Sequence, residues 1–229
     1  GEKLAVIAHT EQYIPYDVRR RLSVYEVSLE NLFPKLHLAT LTGMDKAGLD
    51  LLSAAYPANF DDLRRKQDTE IFLRIKVYAR ANVKEYLKKT AAELIERAKC
   101  VTCYSDWFTI AEEKAQLDVM AVQYDVDVDT QEINRLFQQY ALAQFGKLSQ
   151  NIDEASPVLV SKAMDYMHGH SDKFVVIVMD GMSEFDWKII SSSFKSLPYE
   201  KSSMFAMIPS TTSISRQCLL SGKYPRQLL

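Results

Sequence analysis

Phe174-Val175-Val176-Ile177-Val178-Met179, followed at once by Asp180-Gly181, is the stretch on which the fold turns. Six apolar residues run without alternation, the pattern of a strand buried on both faces, as in a parallel sheet. A segment of helical spacing follows, holding Phe185, Trp187, Ile189 and Ile190. Ser203-Met204-Phe205-Ala206-Met207-Ile208 then reads as a second buried strand, leading into Pro209 and a hydroxyl-rich turn. A last helix is expected from about Ser213 to Leu220, stopped by Gly222. On the N-terminal side, Ser156-Pro157 reads as a helix start. That helix carries Leu159, Val160, Ala163, Met164 and Met167 and ends near Gly169. Helices and strands in alternation are α/β order.

Before residue 151 the periodicity is helical throughout. Apolar residues recur at helical spacing from Asp17 to about Leu52, with a break at Pro34. From Asp61 to Ala98 the signal is longest, through Leu63, Phe72, Ile75, Tyr78, Val83, Tyr86, Leu87 and Leu94, and predicts one long helix of a bundle. Another helix is expected from about Ser105 to Val122, with Ser105 or Asp106 as its N-cap. The next starts at Asp129 or Thr130, carries Ile133, Leu136, Phe137, Tyr140, Ala141 and Phe145, and ends near Gly146. The reading is therefore an α/β unit preceded by a mainly α-helical one: residues 1–150 a helical domain or bundle, and residues 151–229 the opening of an α/β domain. Two or three strands make only a marginal sheet, so the chain is expected to stop inside that domain.

Composition narrows the function classes. Seven glycines in 229 residues is about half the usual share of roughly 7%, which agrees with a helix-rich chain. With 28 basic and 30 acidic side chains there is no general positive field to hold nucleic-acid phosphates. Three cysteines are too few for a disulfide scaffold, so a cytoplasmic setting is expected. No run of 18 uncharged apolar residues occurs, and the opening GEKLAVIAHTEQY lacks the basic start and long apolar core of a signal peptide. No membrane partner is expected.

In open α/β sheets, sites form at the carboxyl ends of strands. Asp180 directly follows the first apolar run, and Pro209 to Thr212 directly follow the second. If the two strands are parallel neighbours, a carboxylate and a cluster of hydroxyls share one edge. Thr212 then stands at the start of a helix, where free N–H groups and the dipole favour an anion. A carboxylate, a hydroxyl and an anion site together suggest metal-assisted phosphoryl or sulfuryl transfer. Ser210 and Thr211 compete with Thr212 for the nucleophile role on residue type alone.

These residues carry a resemblance. Val175-Val-Ile-Val-Met-Asp-Gly-Met182 resembles the first metal-ligand strand of the alkaline phosphatase superfamily. Pro209-Ser-Thr-Thr-Ser-Ile-Ser-Arg-Gln-Cys-Leu-Leu-Ser-Gly-Lys-Tyr-Pro225 resembles its nucleophile segment. The phosphodiesterase branch has Pro-Thr-x-Thr there and, eight residues on, Thr-Gly-x-Tyr-Pro; the ungapped match puts the nucleophilic threonine on Thr212. Asp-Gly-Met, Ser-Arg and Ser-Gly-Lys-Tyr-Pro are most similar to the PglZ family, found in BREX-type phage defence and appended to some bacterial response regulators. The resemblance covers about residues 174–229. It implies an alkaline-phosphatase-like sheet with helices, incomplete in this chain, and a site with two divalent metal ions, typically zinc. Asp180 and Thr212 are the implied metal ligands, Thr212 is also the nucleophile, and Ser213, Ser215 and Arg216 are the candidate substrate contacts. Ser215 stands where the phosphodiesterase pattern has a phosphate-binding asparagine, and Arg216 beside it is a candidate replacement. The superfamily's remaining Asp/His ligands come after this segment; His9, His37, His168 and His170 precede it. The chain alone is thus expected to be inactive. The implied substrate is a phosphoester, a nucleotide or a nucleic-acid end, with other defence-complex proteins as partners. The alternative is a non-catalytic scaffold that binds protein or nucleic acid in such a complex.

Other motifs have plainer readings. Cys100-Val-Thr-Cys103 has metal or redox spacing, but the chain holds no second pair, so structural or incidental thiols are expected. His168-Gly-His170 reads as a loop pair. Asp125, Asp127 and Asp129 lack the glycine and glutamate of a calcium loop and read as helix capping. Arg19-Arg20-Arg21 reads as a solvated helix face.

Overall fold

A computed structural model describes residues 7–21, 23, 25, 27–56, 61–150, 156–171, 173–194 and 196–228. Among the described residues the chain is mainly helical, with one two-stranded parallel sheet, and it divides into two units, Gly1–Ala79 and Arg80–Leu229. The division falls inside the stretch expected to form a single long helix.

The first unit contains α1 (Tyr16–Arg19), α2 (Leu29–Leu32), α3 (Leu38–Leu41), α4 (Lys46–Ala55) and α5 (Lys66–Phe72). Asp45 caps α4 by accepting from the Gly48 N–H at 2.9 Å. Phe33, Leu36, Leu41, Leu51, Leu52, Phe72, Leu73 and Val77 are its buried apolar residues. Thr69, fully buried, ties two loops together: its hydroxyl donates to Leu63 O at 2.6 Å and accepts from the His37 N–H at 2.8 Å. The helix expected over 61–98 is interrupted here. Leu73–Val77 forms a π turn, closed by the Tyr78 N–H donating to Leu73 O at 2.8 Å. Phe72, Leu73 and Val77 belong to the first core, whereas the stripe from Val83 belongs to the second.

The second unit begins with α6 (Arg80–Lys99), α7 (Tyr104–Gln123) and α8 (Gln131–Leu148). Val83, Leu87, Ala91, Leu94 and Ala98 recur at three- and four-residue steps and form the buried stripe of α6. They face Trp107, Ile110, Leu117 and Met120 of α7 and Ile133 and Ala141 of α8. Trp107 packs edge-on to Phe137 with centroids 5.2 Å apart. Of the acidic run, Asp129 accepts from the Gln131 N–H at the start of α8 at 3.0 Å, whereas Asp125 pairs with Arg80 at 2.8 Å. At the start of α7, Cys103 is the N-cap, and Asp106 completes a capping box from the third helical position. The hydrogen bond from the Cys103 side chain, then those from the N–H groups of Cys103 and Thr102, lower the Asp106 pKa below its ordinary 3.8. A lowered carboxylate stabilises the fold above that ordinary value and ceases to as pH falls through the folded one. Asp106→Asn is therefore expected to lower the urea midpoint at pH 7, with the gap to the parent closing below about pH 4. An equal gap at pH 7 and pH 2.5 contradicts this account of the cap.

β1 (Val158–Leu159) and β2 (Met204–Phe205) pair in parallel, Val158 opposite Met204 and Leu159 opposite Phe205. The helix expected from Ser156-Pro157 thus starts later. A 3₁₀ turn (Val160–Lys162) leads into α9 (Ala163–His170), and β1 occupies the expected first turn. Long-range contacts override the local helix signal: the Ser156 hydroxyl donates to Ser203 O at 2.7 Å, and Val158 and Leu159 bury against Leu148. Phe205 lies on Phe108 of α7 and Phe137 of α8, at centroid distances of 4.7 and 5.9 Å. The 203–208 run is covered on one face only, with Phe205 and Met207 inward and Met204 and Ile208 outward.

The run 174–179 departs further from expectation. Among the described residues it joins no strand ladder, and Val175 and Ile177 are 89% and 83% exposed. The partner of β2 is β1, not this run. A both-faces-buried strand needs a strand on each side and a layer above and below; among the described residues 174–179 pairs with no strand, and Phe174 meets the His168 ring of α9 edge-on at 4.8 Å. The remaining helices are α10 (Glu184–Ser191), packed on α7, and α11 (Thr212–Ser221), packed on the 3₁₀ turn and α9.

Candidate functional site

Asp180 lies in the turn that follows 174–179, and Gly181 beside it has φ 72°, a left-handed conformation that a side chain disfavours. Ser183 then starts α10 with its own capping box: Ser183 Oγ accepts from the Asp186 N–H at 3.2 Å, and Asp186 Oδ2 accepts from the Ser183 N–H at 2.9 Å. The Asp180 carboxylate is exposed and takes part in no hydrogen bond or ion pair among the described residues.

Thr212 is the first residue of α11, directly after Thr211, its N-cap. The Thr211 side chain makes no capping hydrogen bond, so no side chain of the N-cap occupies the first-turn N–H groups. Thr212, Ser213 and Arg216 are exposed and Ser215 is partly buried, all on the first turn and a half. At the other end, Gly222 has φ 69° and accepts the chain reversal that stops the helix. A Cβ on Gly222 meets only Ser161 O, at 3.8 Å. Its substitution by alanine is therefore resisted by backbone conformation rather than crowding. Gly222→Ala is expected to cost about 1–2 kcal/mol, read as a lower denaturant midpoint, and an unchanged midpoint refutes this account of the helix stop.

The structure thus brings Thr212, Ser213, Ser215 and Arg216 together on one helix end. Asp180 is on a separate loop, with no hydrogen bond or ion pair to any of the four. Among the described residues, no group of three or more His, Cys, Asp or Glu side chains is placed to hold a metal ion. His168 and His170 are not in a loop: both lie in the last turn of α9, where His170 Nδ1 is 2.8 Å from Tyr166 O. Cys218, on the buried side of α11, has its thiol pKa pushed up by burial.

Ser156 and Ser161 were not legible as structural residues. Ser156 Oγ accepts from the Val158 N–H at 3.1 Å while donating to Ser203 O, so one hydroxyl joins the β1 segment to the β2 segment. Ser161 is fully buried in the turn beneath α11. Serine by itself carries no sequence signal for burial. No helix among the described residues is long and apolar enough to cross a membrane. Comparison with known protein families, characterised proteins and solved structures gives no match.

Proposed function

We propose that this chain carries the nucleophile and the first metal ligand of a PglZ-type, alkaline-phosphatase-like hydrolase of phosphoesters or phosphodiesters, acting in bacterial phage defence or signalling. The start of α11 is the observation that carries the reading. Thr212 sits there with an exposed hydroxyl, among first-turn amides that Thr211 leaves uncapped. Such a helix end attracts a phosphate, because unpaired N–H groups and the dipole both favour negative charge.

The donors fit the implied cation in kind. An uncommitted carboxylate on Asp180 and a hydroxyl on Thr212 are oxygen ligands that a divalent metal accepts. Held by Asp180 and Thr212, a zinc ion would supply Lewis-acid stabilisation and a lower hydroxyl pKa. The chain's own residues do the rest. Thr212 Oγ1 gives its proton to solvent water and attacks phosphorus in line; the Oγ1–P bond forms as the bond to the leaving oxygen breaks, and that oxygen takes a proton from water. The α11 amides and the Arg216 guanidinium receive the charge on the non-bridging oxygens, and Ser213 and Ser215 offer hydroxyl donors from the same turns. Water then cleaves the phosphothreonine and restores the hydroxyl.

The superfamily's other Asp/His ligands follow the nucleophile segment, so the assay belongs on the longer protein that carries them. Zinc content and phosphodiester hydrolysis are measured together, beside Asp180→Asn. Joint loss is expected, with hydrolysis down by about a hundredfold or more. Full hydrolysis by the Asn variant, or by protein stripped with a chelator, sinks the assignment and leaves the scaffold reading.

A further inference from the structure

The last turn of α9, Phe174 and the chain leading into β2 border an open cleft of about 610 Å³, lined by Tyr166, Met167, His170, Phe174, Glu200, Lys201 and two serines. That is the size of a small-molecule site. Its aromatic walls are braced. The Tyr166 and His170 rings lie against each other with centroids 4.3 Å apart, and Phe174 is backed edge-on by His168. His170 Nδ1 is 2.8 Å from Tyr166 O. A carbonyl can only accept, so Nδ1 carries the proton and Nε2 of the neutral ring is an acceptor.

The charge in the cleft is one-sided. The Lys201 ammonium is drawn to Glu184 at 2.9 Å and Glu112 at 3.5 Å, so two carboxylates already meet the one lysine of the lining. Glu200 lines the cleft as well, and its carboxylate takes part in no hydrogen bond or ion pair among the described residues. Flat rings, a thioether, an imidazole acceptor and an uncommitted carboxylate favour a ligand that is flat, cationic and rich in donors. A guanidinium has all three properties: it stacks on aromatic faces, is weakly hydrated and presents its N–H groups in a fork that matches a carboxylate. An anion meets repulsion from Glu200, and an apolar ligand strips water from that carboxylate without giving it a partner.

We propose that this cleft binds a guanidinium group, carried by an arginine side chain of a partner protein or by a free small guanidine. The cation lies against the aromatic wall and donates to the Glu200 carboxylate. None of Asp180, Thr212, Ser213, Ser215 and Arg216 lines the cleft, so the site stands or falls apart from the hydrolase reading.

The test uses the full chain, labelled for amide magnetic resonance and titrated with three probes. These are ethylguanidine, a capped pentapeptide with one arginine between glycines, and the same peptide with citrulline, the flat uncharged isostere, in place of arginine. Amide shifts at the end of α9 and over 199–203 are expected to saturate with both guanidines, and the citrulline peptide is expected to bind at least about tenfold more weakly. Glu200→Gln is expected to weaken both guanidines by about tenfold while keeping the parent's circular dichroism and urea midpoint, since the residue is exposed. Phe174→Leu, which keeps an apolar side chain and removes the ring, is expected to weaken them several-fold. Tighter binding of the arginine peptide than of ethylguanidine places the group on a protein partner, and equal affinities place it on a small guanidine. Shifts that fail to saturate with either guanidine, equal binding of the citrulline peptide, or unchanged affinity in Glu200→Gln overturn the proposal.

Discussion

On the proposed function, Thr212→Ala is expected to reduce phosphodiester hydrolysis, in a chain that carries the remaining Asp/His ligands, by on the order of a thousandfold or more, without lowering its stability. The hydroxyl is exposed, is committed to no hydrogen bond among the described residues, and sits at the first helical position rather than at the cap. Alanine there is the better helix former, so a fall in activity cannot be a fall in folding. Thr212→Ser keeps an oxygen nucleophile and is expected to retain activity within about tenfold. Thr211→Ala is the needed control, because residue type alone does not separate the two threonines. Thr211 makes no side-chain capping bond, so its loss is expected to leave both stability and hydrolysis near the parent. If Thr211→Ala abolishes turnover and Thr212→Ala does not, the nucleophile is misassigned by one residue.

Leu87→Ala is expected to destabilise the second unit by about 2–5 kcal/mol. Leu87 is fully buried in the middle of the α6 stripe, between Val83 and Ala91, where α6 packs on α7 and α8. Removing three carbons there loses their transfer energy and leaves a cavity that a packed helical seam closes only in part. Against a typical total of about 5–15 kcal/mol, that is a large share, and the urea midpoint followed by far-ultraviolet circular dichroism reads it. Leu142→Ala is the matched control: Leu142 is 81% exposed on α8, and a change within about 0.5 kcal/mol is expected. Equal losses at the two positions contradict the placement of the α6 stripe.

The helices of the second unit were legible because their apolar residues repeat at steps of three and four over five turns. Val83, Leu87, Leu94, Ile133 and Ala141 are apolar in the pattern and buried in the structure. The α11 boundaries were legible too, since a hydroxyl-rich turn after proline and a glycine ten residues on are strong local stops. Less was legible where distant residues decide. The π turn at Leu73–Val77 leaves no local mark in the periodic segment that contains it. β1 was hidden beneath a strong helix start at Ser156-Pro157, because a hydrogen bond to Ser203, 47 residues away, outweighs local preference.

The candidate site divides in the same way. Residue order alone placed Thr212, Ser213, Ser215 and Arg216 on one helix end, because local spacing and a helix start suffice for that. It also marked 174–179 as a strand in need of company, since apolarity belongs to the residues themselves. Which strand pairs with β2, and whether Asp180 meets Thr212, are questions of long-range pairing that local periodicity does not encode. The tertiary structure gives β2 to β1, leaves 174–179 without a partner strand among the described residues, and joins Asp180 to α11 by no hydrogen bond or ion pair. Backbone hydrogen bonds between strands form only where the chain returns to itself, so the sheet is decided by the whole packing and the helices largely by their own turns.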